Sequence, residues 1–272
     1  MKQPTLGLAL SGGTAKSVAH IGVLQALEEA AIRPDYLAGT SGGAIIAALY
    51  AAGVPTARLV ELARNLRWKH LARLTFPRLG LLSNSGVEKL IAGLLGDVDF
   101  SDLEIPLSVV VTDLLSGSKA VFKEGKVAAA VMMSSSIPTV FEPVEADGTL
   151  YVDGGLVEYL PVESVLDYCP DVVVGVNLGY RETRSARPRH LLHVAMAVTG
   201  IAAQQNSRLS ETKADVVIRP PTQRFPSFDL MASSALIEVG YRATRDRIPD
   251  IRAALERKEP GWLDRLRFWS KD

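Results

Sequence analysis

The chain has 272 residues, enough for one sizeable core, and its 30 Lys plus Arg are balanced by 30 Asp plus Glu. Zero formal charge leaves no global field to draw in nucleic acid, and the single cysteine, Cys169, excludes an internal disulfide framework and fits a reducing compartment. The opening MKQPTLGLALSGG is broken by glycines too early for a secretory core, and the longest apolar stretches, Ala44 to Val54 and Leu191 to Ala203, are shorter than the roughly 20 residues that cross a bilayer. A cytoplasmic protein without a spanning segment is expected.

Strands and helices alternate from the start. Thr5 to Leu10 reads as a buried strand, and Ala19 to Ala30 carries apolar residues at helical spacing with a charged far side. Asp35 to Gly39 is a second short strand, followed by GGAIIAALYAAG, a helix apolar nearly all round, as a helix packed inside a large domain would be. Further strands are expected at Pro106–Leu114, Ser118–Phe122, Thr149–Asp153, Asp171–Leu178 and Ala214–Pro220. Helices are expected near 56–66, 85–96, 125–134, 161–168, 190–210 and 231–255. This order predicts a three-layer α/β/α domain over 1–255, with a mostly parallel or mixed sheet covered on both faces. Lys69–Ser85 and Tyr180–Arg189 read as irregular surface segments.

GTSGG, Gly39 to Gly43, fits G-x-S-x-G with a strand just before it and a helix just after. Such a turn strains the backbone of Ser41 and presents its hydroxyl at the mouth of the sheet, while Gly39, Gly42 and Gly43 let strand and helix approach closely. The helix N-terminus beneath it offers partial positive charge to a developing oxyanion. The same small residues also suit a plain strand–helix turn. A nucleophile needs a base, yet none of the four histidines, His20, His70, His190 and His193, follows a late strand with a carboxylate placed before it. Asp153 is the other candidate: it ends an apolar run and precedes Gly154 and Gly155, a pattern that also reads as a tight turn. Upstream, Ser11–Gly12–Gly13–Thr14–Ala15–Lys16–Ser17 ends the first strand and can hold an anion on successive N–H groups. It lacks the G-K-[ST] of a phosphate loop and the third glycine of a dinucleotide site.

Taken together, the glycine-rich loop, G-x-S-x-G and D-G-G resemble the patatin-like phospholipase family. The resemblance extends through VTDLLSG (Val111–Gly117), SSSIPTVFEPV (Ser134–Val144) and LIEVGYRAT (Leu236–Thr244), so it spans roughly residues 5–250. It implies a serine–aspartate dyad that works without histidine, metal or cofactor: Ser41 as nucleophile and Asp153 as proton acceptor. Gly12, Gly13 and Thr14 would be oxyanion donors, with Lys16, Gly154 and Gly155 in support. An unperturbed Asp is a weak base for a hydroxyl, so this chemistry requires a raised carboxyl pKa and a stabilised oxyanion. The loop departs from the family pattern of three glycines, a basic residue and a glycine. Thr14 is harmless at negative φ and strained at positive φ.

Three functions remain open on these residues: a lipid acyl hydrolase or carboxylesterase, an α/β-hydrolase with a late histidine, and a weakly active scaffold that binds lipid or a protein. Two segments are candidates for peripheral membrane contact. Leu71–Ser85 is apolar and basic. The tail, 256–272, sets Trp262, Leu266 and Trp269 at helical spacing beside Arg265, Arg267 and Lys271, though its short length favours a helix packed on its own domain or on a second subunit.

Overall fold

The computed structural model describes residues 3–74, 79–179 and 187–258. The first half contains β1 (Leu6–Leu10), α1 (Ala19–Glu29), β2 (Tyr36–Thr40), α2 (Gly42–Ala51), α3 (Thr56–Asn65), α4 (Trp68–Leu71), β3 (Arg73–Leu74), β4 (Gly80–Ser83) and α5 (Ser85–Leu95). Next come β5 (Leu107–Asp113), β6 (Lys119–Phe122), α6 (Val127–Ser134), β7 (Thr139–Phe141), β8 (Val144–Ala146) and β9 (Thr149–Asp153). The chain continues through α7 (Val162–Leu166), β10 (Val172–Val176), α8 (Leu191–Glu211), β11 (Val216–Ile218), α9 (Ser233–Arg245) and α10 (Ile248–Lys258).

The expected three-layer α/β architecture is present. The main sheet runs β11-β10-β1-β2-β5-β9-β8, with β6 also paired to β5. From β11 to β5 the pairs are parallel, whereas β6, β8 and β9 join antiparallel, which makes the sheet mixed. β1 and β10 are buried at every residue, as parallel strands covered on both faces must be. Alternation divides β1 between two cores. Leu6, Leu8 and Leu10 enter the large one with Leu24, Leu27, Ala47 and Leu236, while Ala9 joins Leu160, Val162 and Val165 on the opposite face. β5 organises the site, because Thr40 at the end of β2 aligns with Val110 and Asp153 at the end of β9 aligns with Val111.

Two expectations change. Lys69–Ser85 is not simply irregular: α4 and β3 lie in it, and β4 pairs with β3 and runs parallel to β7 in a small second sheet. Such short strands, held by partners far along the chain, leave little periodicity to detect. The helix expected over 231–255 is two helices, α9 and α10, and the second starts one residue before Pro249, whose ring cannot continue an existing helix. α10 runs to Lys258, and the remaining tail candidates, including Trp262, Leu266 and Trp269, lie outside the described residues. Most of the Tyr180–Arg189 segment does as well. Among the described residues no helix is long and apolar enough to cross a membrane.

Candidate active site

Ser41 occupies a strained turn. Its φ of 54° and ψ of −130° lie outside the ordinary wells for a residue with a Cβ. Ser41 is the N-cap of α2, but its side chain makes no capping hydrogen bond. A capping serine ordinarily uses its hydroxyl on the helix backbone; here the hydroxyl instead favours the ionised carboxylate of Asp153, with which Ser41 shares a cavity wall. The turn is secured from elsewhere. Ser41 N–H donates to Ser134 Oγ at 2.8 Å, and Ser134 Oγ donates to Val110 O at 2.6 Å. Close approach explains two of the glycines: a Cβ on Gly39 would press on Ala44 Cα of α2, and one on Gly43 would fall on the carbonyl oxygens of Leu10 and Ser11. Gly42 likewise faces the Ser17 hydroxyl, and Gly154 faces the Val110 carbonyl.

Asp153 is held by main chain on both sides. Its N–H donates to Ser136 O at 2.9 Å, and its carbonyl accepts from Thr112 Oγ1 at 2.8 Å. Gly155 N–H donates to Asp153 Oδ1 at 2.8 Å, closing the turn that follows the strand. Ser41 and Asp153 are only 5% and 8% exposed. Burial pushes the Asp153 carboxyl up to about 6, against the opposing pull of the Ser41 hydroxyl and the Gly155 N–H. A carboxyl so shifted is a better proton acceptor than a solvated Asp and still ionises near neutral pH.

The glycine-rich loop lies across from the pair. Gly12 was expected as an oxyanion donor, but its N–H is committed to Tyr159 O at 3.0 Å. Ala15 and Lys16 N–H are also engaged, with Ser227 O and Gly13 O. Among the described residues the N–H groups of Gly13 and Thr14 have no such partner, and both residues line the same cavity as Ser41. Thr14 has φ 54°, the positive value at which its β-branched side chain is strained. The loop is buttressed by His20 of α1, which is wholly buried and bonds through Nε2 to Ser11 O at 2.8 Å. Burial lowers the His20 pKa to about 4, so the ring is neutral and Nε2–H donates.

A cavity of about 410 Å³ joins these parts, with Gly13, Thr14, Lys16, Ser41, Asp153 and Gly155 in its wall. α8 contributes the wall opposite, through Met196, Thr199, Ala203 and Gln204. No histidine lines this cavity among the described residues. His190 and His193 stack on each other, ring centres 3.7 Å apart, at the exposed start of α8, and His70 accepts from Arg67 N–H away from the site. The late-histidine arrangement is therefore absent from the described residues.

Sequence reasoning missed several supporting groups. Asn206 on α8 donates to Gly155 O at 3.0 Å and Leu156 O at 3.1 Å, and its Oδ1 accepts from Tyr159 N–H at 2.9 Å. The Tyr159 ring occupies the space that a Cβ on Gly12 or Gly155 would need. Glu158 is buried; it bonds to Lys119 at 3.0 Å and to Ser164, while its carbonyl accepts from Thr40 Oγ1 at 2.8 Å, one residue from Ser41. Asn206 lies over 50 residues from Asp153 in sequence and carries no local signature. Ser134 lay within the Ser134–Val144 segment that carried the resemblance.

Comparison with known proteins identifies the family. The family model described as patatin-like phospholipase matches residues 8–166. An NTE family protein of Mycobacterium tuberculosis is 36% identical over 190 residues, covering 68% of this chain and 52% of the relative, so the match spans about half of that relative's length. The human patatin-like phospholipase domain-containing protein 6 is 32% identical over 190 residues, 65% of this chain and 14% of that protein. Two solved structures share the fold: VipD from Legionella pneumophila, with TM-score 0.52, 16% identity and coverage of 95% and 67% of the two chains, and the type III effector ExoU, with TM-score 0.52, 17% identity and coverage of 95% and 54%. With more than half of its length matched by the family model, the chain belongs to the patatin-like phospholipase family.

Proposed function

We propose that this protein is a serine acyl hydrolase that cleaves carboxylic esters of lipids through a Ser41–Asp153 dyad. The observation that carries the reading is the buried pair itself: a serine in a strained turn and an aspartate whose pKa burial lifts to about 6, both at the wall of one cavity. Family membership supports it, and a lipid ester suits a cavity whose α8 wall includes Met196 and Ala203.

Ser41 Oγ attacks the ester carbonyl carbon while its proton passes to Asp153. The carbonyl electron pair moves onto oxygen, and the N–H groups of Gly13 and Thr14, with the N-terminus of α2, stabilise the charge that develops there. Collapse expels the alcohol, which takes the proton from Asp153, and leaves an acyl group on Ser41. Water then attacks this acyl-enzyme with Asp153 again accepting the proton, which releases the carboxylic acid and restores Ser41. Acid–base work by a single carboxylate requires it to be ionised first, so turnover should rise through pH 6.

Labelling with a fluorophosphonate ester and turnover of a soluble short-chain ester test this reading. Ser41→Ala should abolish both, Asp153→Asn should abolish turnover, and the double variant should be little worse than either single one, because the two groups act as a unit. An unlabelled wild-type protein, or strictly additive losses, would instead favour the lipid-binding scaffold.

A further inference from the structure

α8 has two faces with different tasks. Met196, Thr199, Ala203 and Gln204 look into the cavity, whereas Leu191, Val194, Val198 and Ile201, spaced i, i+3, i+7 and i+10, are 84%, 47%, 60% and 57% exposed. A surface helix normally turns its polar side outward. This one presents a ridge of large aliphatic side chains to solvent.

Other exposed apolar side chains lie next to residues that line the cavity. Phe225, Pro226 and Ser227 line the cavity wall, and the chain just beyond them exposes Phe228 by 42% and Met231 by 73%. Ile137 and Pro138 line another part. Leu82 of β4 packs in the same cluster as Ile137, Leu192 and Met196, and β4 carries Leu81, 49% exposed, with Leu79, 65% exposed, just before it. Two separate segments, α8 and 228–231, thus carry exposed apolar side chains beside residues that line one cavity. An apolar surface of this extent marks an interaction site.

Charge identifies the partner. From Arg187 to Ser210 the sequence has no Asp or Glu, but it has Arg187, Arg189 and Arg208, and His190 and His193 stand beside the first two. Residues 187–190, at the start of α8, are all exposed. Apolar side chains on α8 with basic neighbours and no acidic ones between 187 and 210 match the acyl–headgroup boundary of an anionic bilayer, where aliphatic groups enter the chains and arginines meet phosphate; the one carboxylate beside Phe228 and Met231, Asp229, is tied to the Met231 N–H. A folded protein seated on the same ridge would stand over the elements that admit substrate. A lipid surface on that ridge instead contains the substrate.

We propose that the outer face of α8, with Phe228 and Met231, is the surface on which this protein docks to anionic lipid, so that an ester passes from the bilayer into the cavity along the helix. What enters the cavity rests on the acyl hydrolase reading; the docking itself is measurable without catalysis. The test is co-sedimentation of the full 272-residue chain with vesicles of phosphatidylcholine alone or mixed with phosphatidylglycerol, alongside hydrolysis of a soluble short-chain ester and light scattering. Val198→Glu with Ile201→Glu, both outside the cavity wall, should weaken vesicle binding at least about tenfold and leave soluble-ester turnover within about twofold. Arg187→Glu with Arg189→Glu should weaken binding to the anionic vesicles only. Wild-type vesicle binding without ester turnover would uphold docking while removing the hydrolase reading. Undiminished binding by the Val198/Ile201 variant overturns the proposal, and so does loss of binding only on deletion of 259–272. A wild-type dimer that the Val198/Ile201 variant splits, with no vesicle binding by either, would make the ridge a subunit interface and overturn it too.

Discussion

Asn206 of α8 donates a hydrogen bond of 3.0 Å to the carbonyl of Gly155, whose own N–H donates to Asp153 Oδ1 at 2.8 Å. A helix more than 50 residues away thereby fixes the turn that orients the proposed base. Asn206 is a positioning residue. Asn206→Ala should cut turnover by about 10- to 100-fold, because small displacements of a reacting group are expensive. It should also move the acid limb of the pH–rate profile upward by about one unit as the Gly155 N–H loosens its hold on the carboxylate. Asn206→Asp keeps the shape and the acceptor for Tyr159 N–H but cannot donate to Gly155 O, so it should not rescue. An unmoved pH limb in both variants would reduce Asn206 to a packing role.

Thr14 sits at φ 54° in the loop that faces Ser41. Left-handed backbone costs a non-glycine residue roughly 1–2 kcal/mol, and glycine gives part of this back through its greater unfolded-state freedom. Thr14→Gly should raise stability by up to about 1 kcal/mol, read as an upward shift in Tm. Turnover should improve or stay within tenfold, since the N–H and not the side chain is the proposed donor. Loss of activity in Thr14→Gly would show that the hydroxyl participates.

Asp153 carries a stability cost with a definite sign. Its folded pKa of about 6 exceeds the ordinary 3.8, so the fold prefers the protonated carboxyl. That preference is fully expressed below 3.8 and lost as pH rises through 6. Asp153→Asn, which retains an acceptor for Gly155 N–H, should therefore stabilise the protein at pH 8 by about 3 kcal/mol, and the gain should fade as pH falls toward 4. Urea unfolding of both proteins at several pH values measures it. A gain independent of pH would refute the buried, ionising carboxyl.

His20 has the opposite sign. Its folded pKa is near 4 against an ordinary 6.5, so the fold needs the neutral ring, and its contribution is present above 6.5 and lost as pH falls through 4. Asp153 works the other way across part of this range, so the wild-type curve alone mixes the two. The stability difference between wild type and His20→Leu isolates one of them. It should shrink by about 2–3 kcal/mol between pH 7.5 and pH 4.5, because the unfolded chain takes up a proton on this ring that the folded core beneath the Ser11 carbonyl resists.

Much of this molecule is written locally. The buried runs of β1 and β10, the apolar α2 and the 21-residue α8 follow from hydrophobic pattern alone, because burial on one face or two dictates residue type at fixed spacing. Gly39-Thr40-Ser41-Gly42-Gly43 likewise announces its turn, since only small residues tolerate backbone oxygens so near. Tertiary structure decided the rest. Strand register along β5 brings Ser41 within reach of Asp153, over 110 positions later, and no local pattern encodes a pairing between distant strands. Burial, which exists only once the layers close, lifts the Asp153 pKa and lowers that of His20. Gly12 looked like a donor by its neighbours, yet Tyr159, far along the chain, takes its N–H, and the sign of φ at Thr14 was likewise set by the folded loop. Sequence names the groups that carry the chemistry; their protonation, strain and free hydrogen bonds belong to contacts that form only when the chain folds.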